Sequence, residues 1–252
     1  QAGAQAVQRV HMMREAADRD PVAWVKEARV MIESKEEGRV PFQPWPHQEH
    51  IMRLVAEGKS HIIVKTRQLG GTTAEFVAWA WSLTHRRPFR GHVVADKEEV
   101  ARDRCLRIVR TALRHSQLPA DVQKGLRLGG DGSNEIRYMS RYADNHVRAH
   151  AASPTAGRSF DGNAVSFDEA AFMPFAETIF VGMKPMLEGR GAMLSMISTY
   201  NGENFFSRCA DGHAALGMEK VELDWRCRPD RDQAWYEAEL AAWSALGLEQ
   251  DF

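Results

Sequence analysis

The chain has few cysteines, no long apolar run and almost no net charge. Its three cysteines, Cys105, Cys209 and Cys227, are odd in number and scattered. That excludes a disulfide scaffold, fits a reducing cytosol and gives no reason to expect a zinc site. No apolar stretch approaches the ~18–20 residues that a membrane helix needs, and mean hydropathy is -0.44. The start shows no basic-then-apolar pattern, so no secretion signal is expected. Neither sign of charge dominates: 33 basic against 34 acidic residues give a formal net charge of -1. The total therefore names no partner, because nucleic-acid binding depends on local patches. Internal repeats and low-complexity tracts are also missing. What is there is ordinary for a folded protein. The 252 residues are 44% hydrophobic and 27% charged, enough for a real core and unlike a disordered or collagen-like chain.

Residues 4–37 read as helical, with Val22, Val25, Val30 and Ile32 at apolar positions and a restart at Asp20-Pro21. Pro41, Pro44 and Pro46 then force an extended path. A helix is expected from His47 to Glu57, stopping at Gly58. From Ser60 onward short apolar runs alternate with helical stretches: a strand at 61–64, a helix at 73–84, a strand at 92–95 and a helix at 97–115. Such alternation predicts βαβ units and a parallel sheet. Residues 126–128 and 135–139, separated by glycines, read as a hairpin. Further strands are expected at 147–151, 164–167, 193–197 and 219–223, and a helical tail from Arg231 to Phe252.

The segment Ile62-Ile63-Val64-Lys65-Thr66-Arg67-Gln68-Leu69-Gly70-Gly71-Thr72-Thr73 is the most informative. A β-run enters a glycine-containing loop and a helix leaves it, which is the context of a phosphate-binding loop. Backbone N–H groups wrap phosphates there, the helix N-terminus adds positive potential, and a hydroxyl at the helix start holds Mg²⁺. Aligned on G-x-x-x-x-G-K-[ST], Gly70 is the second glycine and Thr72 the metal-side hydroxyl. Gly71 occupies the usual lysine position and Lys65 the first glycine position. The cation has thus moved to the loop's entry, and Arg67 adds a second charge. The competing reading is a basic turn before an ordinary helix.

Ala164-Val165-Ser166-Phe167-Asp168-Glu169 is an apolar strand ending in two carboxylates. In a phosphate-loop enzyme the Asp supports Mg²⁺ and a following Glu orients and deprotonates the attacking water. The competing reading makes Asp168 the N-cap of a helix beginning at Glu169.

These residues resemble the ATPase domain of phage large terminases, the motors that package DNA, from about Phe42 to Tyr236. Trp45-Pro46-His47-Gln48 looks like that family's adenine-binding segment, which assigns Gln48 and, more weakly, Gln43. Arg67-Gln68-Leu69-Gly70 with Thr72-Thr73 is similar to the family's R-Q-x-G-K-T-T loop, and Lys65 fits the variant that carries lysine at the loop's start. Gly157-Arg158-Ser159-Phe160-Asp161-Gly162 resembles the element whose arginine acts on a neighbouring subunit's ATP, with Arg148 and Arg141 as rivals to Arg158. Asp168-Glu169-Ala170-Ala171-Phe172 resembles the acidic motif. Ser198-Thr199-Tyr200-Asn201-Gly202 with Phe205-Phe206 resembles the coupling motif, in which Thr199 senses the γ-phosphate. Asp232 to Glu237 is similar to the linker before the family's nuclease, so the chain reads as an excised motor domain without nuclease activity.

The resemblance implies an α/β P-loop NTPase of the ASCE type, with a mainly parallel central sheet flanked by helices and an N-terminal helical element. It implies a helical arm at 1–40, the ATPase domain at 41–230 and a helical linker at 231–252. ATP and Mg²⁺ are the implied cofactors. Implied partners are double-stranded DNA, a homo-oligomeric ring on the procapsid portal and the small terminase subunit, in the cytoplasm of an infected bacterium and away from membranes. Lys65, Thr66, Arg67, Gln68, Leu69, Gly70, Gly71, Thr72 and Thr73 would bind ATP, Thr72 and Asp168 would hold the metal, and Glu169, Arg158, Arg67 and Thr199 would act in catalysis. Between Arg86 and Arg114 there are nine Lys/Arg and four Asp/Glu. Arg107, Arg110 and Arg114 share one predicted helical face, which could hold a phosphate backbone or simply be an ion-paired, solvated face. Two other readings stay open: a helicase-like ATPase, and a nucleotide-binding assembly module made inactive by Gly71.

Overall fold

The computed structural model describes residues 15–34, 36–141, 143–189 and 191–245. After α1 (Pro21–Glu27) the chain forms a small hairpin, β1 (Met31–Ser34) and β2 (Gly38–Pro41). α2 (Pro46–Glu57) leads into β3 (His61–Lys65), α3 (Gly71–His85) and β4 (Arg90–Ala95). A short turn α4 (Glu98–Val100), a π-helical turn (Ala101–Leu106) and α5 (Arg107–His115) run on continuously. Then come α6 (Ala120–Gly125), β5 (Leu126–Arg127), β6 (Glu135–Ser140) and β7 (Ala143–Ala151). β8 (Ala164–Asp168), α7 (Ala176–Leu187), β9 (Met193–Ser198), α8 (Phe205–Asp211), β10 (Glu219–Leu223) and α9 (Gln233–Ala245) complete it.

The strands form one sheet in the order β10-β3-β9-β8-β4-β7-β6-β5. Every pair from β10 to β7 is parallel, and β6 and β5 close the far edge antiparallel. β3, β8 and β9 are buried along their whole length. That is why they read as continuous apolar runs, as strands covered on both faces do. β9 lies between β3 and β8, with Ser198 in register with Val64 and Ile197 with Asp168. The carboxyl ends of three adjacent strands therefore converge, which is where open α/β sheets place their ligands. The fold is the mainly parallel, helix-flanked α/β type expected.

Several elements differ from expectation. Residues 31–34, expected in a helix, instead form the first strand of a hairpin with residues 38–41. Arg29 at φ 47 ends the helix, and Gly38 at φ 74 closes the β turn without Cβ strain. Phe42 N–H then donates to Val30 O at 2.7 Å, pinning the hairpin's base. The earlier part of the expected arm, residues 4–14, and the tail's end, 246–252, lie outside the described residues. β7 starts at Ala143, before the expected Val147, because β6 and β7 pair over the whole run from Glu135–Arg148 to Ser140–Ala143. The helices α7 and α8 had no counterpart in the sequence reading. No described helix is long and apolar enough to cross a membrane.

A buried polar network fixes the central layer. Glu75 on α3 accepts from His61 Nε2 at 2.8 Å, from Trp79 Nε1 at 2.9 Å and from Ser195 Oγ at 2.6 Å. It joins the start of β3, the middle of α3 and β9, with no solvent exposure at His61 or Glu75. Burial alone would lower the His61 pKa, but the Glu75 carboxylate outweighs it and holds the imidazole above its ordinary value.

Candidate nucleotide site

The loop between β3 and α3 is shaped by two left-handed residues, Gln68 at φ 64 and Gly70 at φ 68. It is tied down on three sides. His47 Nε2 hydrogen-bonds Leu69 O at 2.8 Å, and Gln48 Nε2 donates to Gly70 O at 3.3 Å. Arg228 donates to Gln68 O at 3.3 Å, and Thr66 N–H to Leu223 O at 3.0 Å. α3 begins at once after Gly70, so its free N–H groups and dipole face the loop's concave side. A Cβ at Gly70 would stand 2.2 Å from Gln48 Nε2. Gly70→Ala is therefore expected to cost about 1–3 kcal/mol through a non-glycine left-handed residue. It should also displace Gln48 and weaken nucleotide binding. Unchanged denaturation midpoint and unchanged ATP affinity in the variant would refute this.

Lys65, the last residue of β3, reaches into the site. Its ammonium lies 3.2 Å from Glu169 Oε1, with the side chain only 7% exposed. At Gly71, the usual lysine position, an added Cβ would meet Leu223, Ile63 and Ile51 at 3.5–3.9 Å. That is an apolar wall. Among the described residues of the loop, Lys65 is the amine that faces the acidic pair.

Asp168 ends β8 and is 1% exposed. Burial raises its pKa, with Arg104 acting in the opposite direction. Its Oδ1 accepts from Thr72 Oγ1 at 3.4 Å, while Oδ2 has no hydrogen-bond partner. Arg104 is within ion-pair distance of that oxygen, 3.3 Å, without hydrogen-bond alignment. A buried carboxylate oxygen without a hydrogen bond, beside a threonine hydroxyl, is a hard-oxygen set suited to Mg²⁺. Glu169 follows in the left-handed region at φ 52, where the chain leaves the strand and turns. Burial would raise its pKa, but Lys65 and Arg104 together hold it below the ordinary value. Its Oε2 accepts from Ser198 Oγ at 3.5 Å, and Ser198 also accepts from Ala171 N–H at 3.1 Å. Asp168 is thus a strand end and not a helix N-cap, since the following turn is 3₁₀ (Ala170–Phe172) capped at Glu169.

A cleft of about 250 Å³ opens over this group, lined by Arg67, Asp168, Glu169, Phe172 and Thr199. Arg67 is exposed on the loop and Thr199 half-buried at the end of β9. Gln48 is buried, with its amide oxygen on Trp45 N–H and its nitrogen on Gly70. In this conformation it clamps helix to loop. Gln43 is exposed and Thr73 half-buried.

Arg104 was missed. It bridges both carboxylates, at 3.3 Å from Asp168 and 2.8 Å from Glu169. It stands on the π-helical turn, whose extra residue per turn re-aims side chains and recurs at functional sites. The sequence signal was its place in the basic run after β4, where it was one of several arginines.

One expectation, a single exposed arginine face on α5, is corrected by position. Arg110 is 3% exposed, and both ends of its guanidinium donate to Leu128 O and Ser133 O at 3.0 and 2.9 Å. Arg107 pairs with Glu33, and Arg114 lies 3.6 Å from Asp131. The supposed DNA face instead fastens the hairpin and the β5–β6 loop to α5. Arg158 lies on a 3₁₀ turn (Ala156–Ser159), exposed, beside a separate cleft of about 450 Å³ with His150 and Ser153. It does not line the cleft over its own chain's acidic pair. Its rival Arg148 is engaged by Glu135 at 2.9 Å, and its other rival, Arg141, follows β6 in the turn before β7.

No protein-family model matches the chain. Solved structures do share its fold. The ATPase domain of the Thermus phage P74-26 large terminase superposes with a TM-score of 0.65 at 20% identity, over 84% of this chain and 93% of that one. The large terminase of a thermophilic bacteriophage, in complex with ATP-gamma-S, gives 0.60 at 14% identity, over 78% and 49%. The HK97 bacteriophage large terminase gives 0.60 at 17% identity, over 93% and 49%. The chain spans about half the length of these last two proteins. Its fold is that of large-terminase ATPase domains, a P-loop NTPase fold.

Proposed function

We propose that this chain is the ATP-hydrolysing motor domain of a phage DNA-packaging machine, working as a ring of identical subunits on the procapsid portal in the host cytoplasm. The observation that carries the reading is the meeting of Lys65, Thr72, Asp168, Glu169 and Ser198 at the mouth of the loop, on a fold shared with terminase ATPase domains. The reaction is attack of water on the γ-phosphorus with cleavage of the bond to the β-phosphate oxygen, giving ADP and phosphate. The water's proton passes to Glu169. Thr72 and Asp168 would hold Mg²⁺, which supplies charge neutralisation on the phosphates when bound.

The geometry suggests how Glu169 is kept in reserve. Lys65 and Arg104 stabilise its anion and so lower its basicity. An arriving triphosphate competes for both cations, because its charged oxygens accept from ammonium and guanidinium as a carboxylate does and carry more negative charge. Glu169 then regains basicity when a γ-phosphate is present. Ser198 and Thr199, at the end of the strand between loop and acidic pair, feel its loss. Arg158 completes a neighbour's site, and double-stranded DNA and the small terminase subunit are the partners, with nuclease activity outside this chain. A non-catalytic module is the reading that Gly71 would favour, given its apolar surroundings.

Phosphate release with ATP and Mg²⁺, with and without double-stranded DNA, tests the proposal. Lys65→Ala is expected to lower turnover at least about 100-fold, as loss of one electrostatic donor to a developing charge does. A wild-type protein that binds ATP and never hydrolyses it when assembled would establish the inactive module. Arg158→Ala should lower turnover of the assembled ring about 1,000-fold, while ATP binding by the isolated chain persists. Retained turnover in the assembled variant would remove Arg158 from the mechanism.

A further inference from the structure

Along β4 and β7, outside the cleft over the acidic pair, three histidines and an aspartate gather without the usual satisfaction of buried polar groups. His92 on β4 and His146 and His150 on β7 project from the same face, since His146 is in register with Arg90 and His150 with Val94. His92 is 1% and His146 4% exposed. Neither ring nitrogen of His146 has a hydrogen-bond partner, and neither has His92 Nε2. Buried imidazole nitrogens normally find one. Asp161, in the loop before β8, brings Oδ1 to 3.5 Å from His92 Nε2.

We infer that His92, His146 and Asp161 form a Zn²⁺ site. One donor atom from each lies within 4.8 Å of the other two. Tetrahedral bonds of about 2.0–2.2 Å place ligand atoms about 3.3–3.6 Å apart, so the His92–Asp161 pair already has the required separation and His146 needs a small movement. The second ring nitrogen is also arranged as a site requires. His92 Nδ1 and His150 Nε2 are hydrogen-bonded at 3.0 Å; with Nδ1–H as the donor, Nε2 is left free to ligate. Phe160 stacks on the His92 ring with centroids 4.5 Å apart and sets its plane. Gly162 leaves the ligating edge open, since a Cβ there would stand 2.9 Å from His92 Nε2. Asp161, 62% exposed, gives the ion a way in from solvent. Arg148, a cation that acts on all three imidazoles, is paired with Glu135. The expectation of no zinc site rested on cysteine spacing, and this site uses none. Two imidazoles and one carboxylate leave a fourth position for water, and occupancy would tie the segment carrying Arg158 to β4 and β7.

The test uses the full, tag-free chain stripped with a chelator. Zn²⁺ uptake is counted by elemental analysis, and Co²⁺ substitution is followed by its visible absorption, which reports tetrahedral N/O ligation. Wild type should take up one equivalent per chain and show a raised melting midpoint with Zn²⁺. Asp161→Asn, at an exposed position, should weaken uptake at least about tenfold with the melting midpoint of the metal-free chain unchanged, and His146→Gln should abolish it. His50→Gln, at an exposed histidine elsewhere, should change nothing. Wild type without stoichiometric uptake overturns the site, as does uptake that survives Asp161→Asn undiminished.

Discussion

Glu169→Gln is expected to cut ATP turnover by about 100- to 10,000-fold, the span of a lost general base, while ATP binding remains. The amide keeps the side chain's length and its contact with Ser198, so the cleft stays intact. What disappears is the acceptor for the water's proton. Glu169 is also the anionic partner of Lys65 and Arg104. Neutralising it frees Lys65 and leaves Arg104 with Asp168 alone, so the affinity for ATP should hold or rise. A fluorescent ATP analogue measures binding, and phosphate release measures turnover. A variant that loses both together would place Glu169 in nucleotide binding, and one that keeps wild-type turnover would remove it from the chemistry.

The parts of this site legible in the sequence are those where local pattern and tertiary role agree. β3 and β8 are apolar runs because both faces are covered, and their ends carry Lys65 and the Asp168-Glu169 pair because the sheet's carboxyl edge is where the chain leaves the core. α2 could be bounded from Pro46 at its first turn and Gly58, left-handed at φ 69, at its end. The hidden parts depend on packing. α7 contains Gly182 and Pro185, which lower helix propensity. The helix forms because it packs against the turn carrying Arg158, where a Cβ at Gly157 would lie 2.2 Å from Ile179 O. The first strand of the hairpin is read as helix when Val30 and Ile32 are counted with the valines before them, and the left-handed Arg29, the β1–β2 pairing and Phe42 bonding back to Val30 decide otherwise. Arg104 and Arg110 differ in role through a π turn, which no residue spacing announces.

Glu75→Ala is the stability counterpart of the first prediction. The carboxylate takes three buried donors, from His61, Trp79 and Ser195, and its removal strands all of them. Breaking a buried pair by deleting one partner costs about 3–5 kcal/mol, which lowers the melting midpoint by roughly 10 °C in a domain of this size. The loss should also depend on pH. His61 binds its proton more tightly folded than unfolded, so its contribution is complete below the ordinary value of 6.5 and fades as pH rises through the higher folded value. Glu75→Gln isolates that effect, since it keeps an acceptor and removes the charge. Burial, the largest influence on His61, is then opposed only by the Lys59 carbonyl and the charge of Glu219, so its pKa falls and the variant loses the extra stability that wild type holds at lower pH. Urea denaturation at pH 6 and pH 9 should show wild type and Glu75→Gln farther apart at pH 6. A constant difference across that interval would mean that His61 is neutral in the folded protein, and that hydrogen bonding alone holds β3, α3 and β9 in the alignment that brings Lys65 to Glu169.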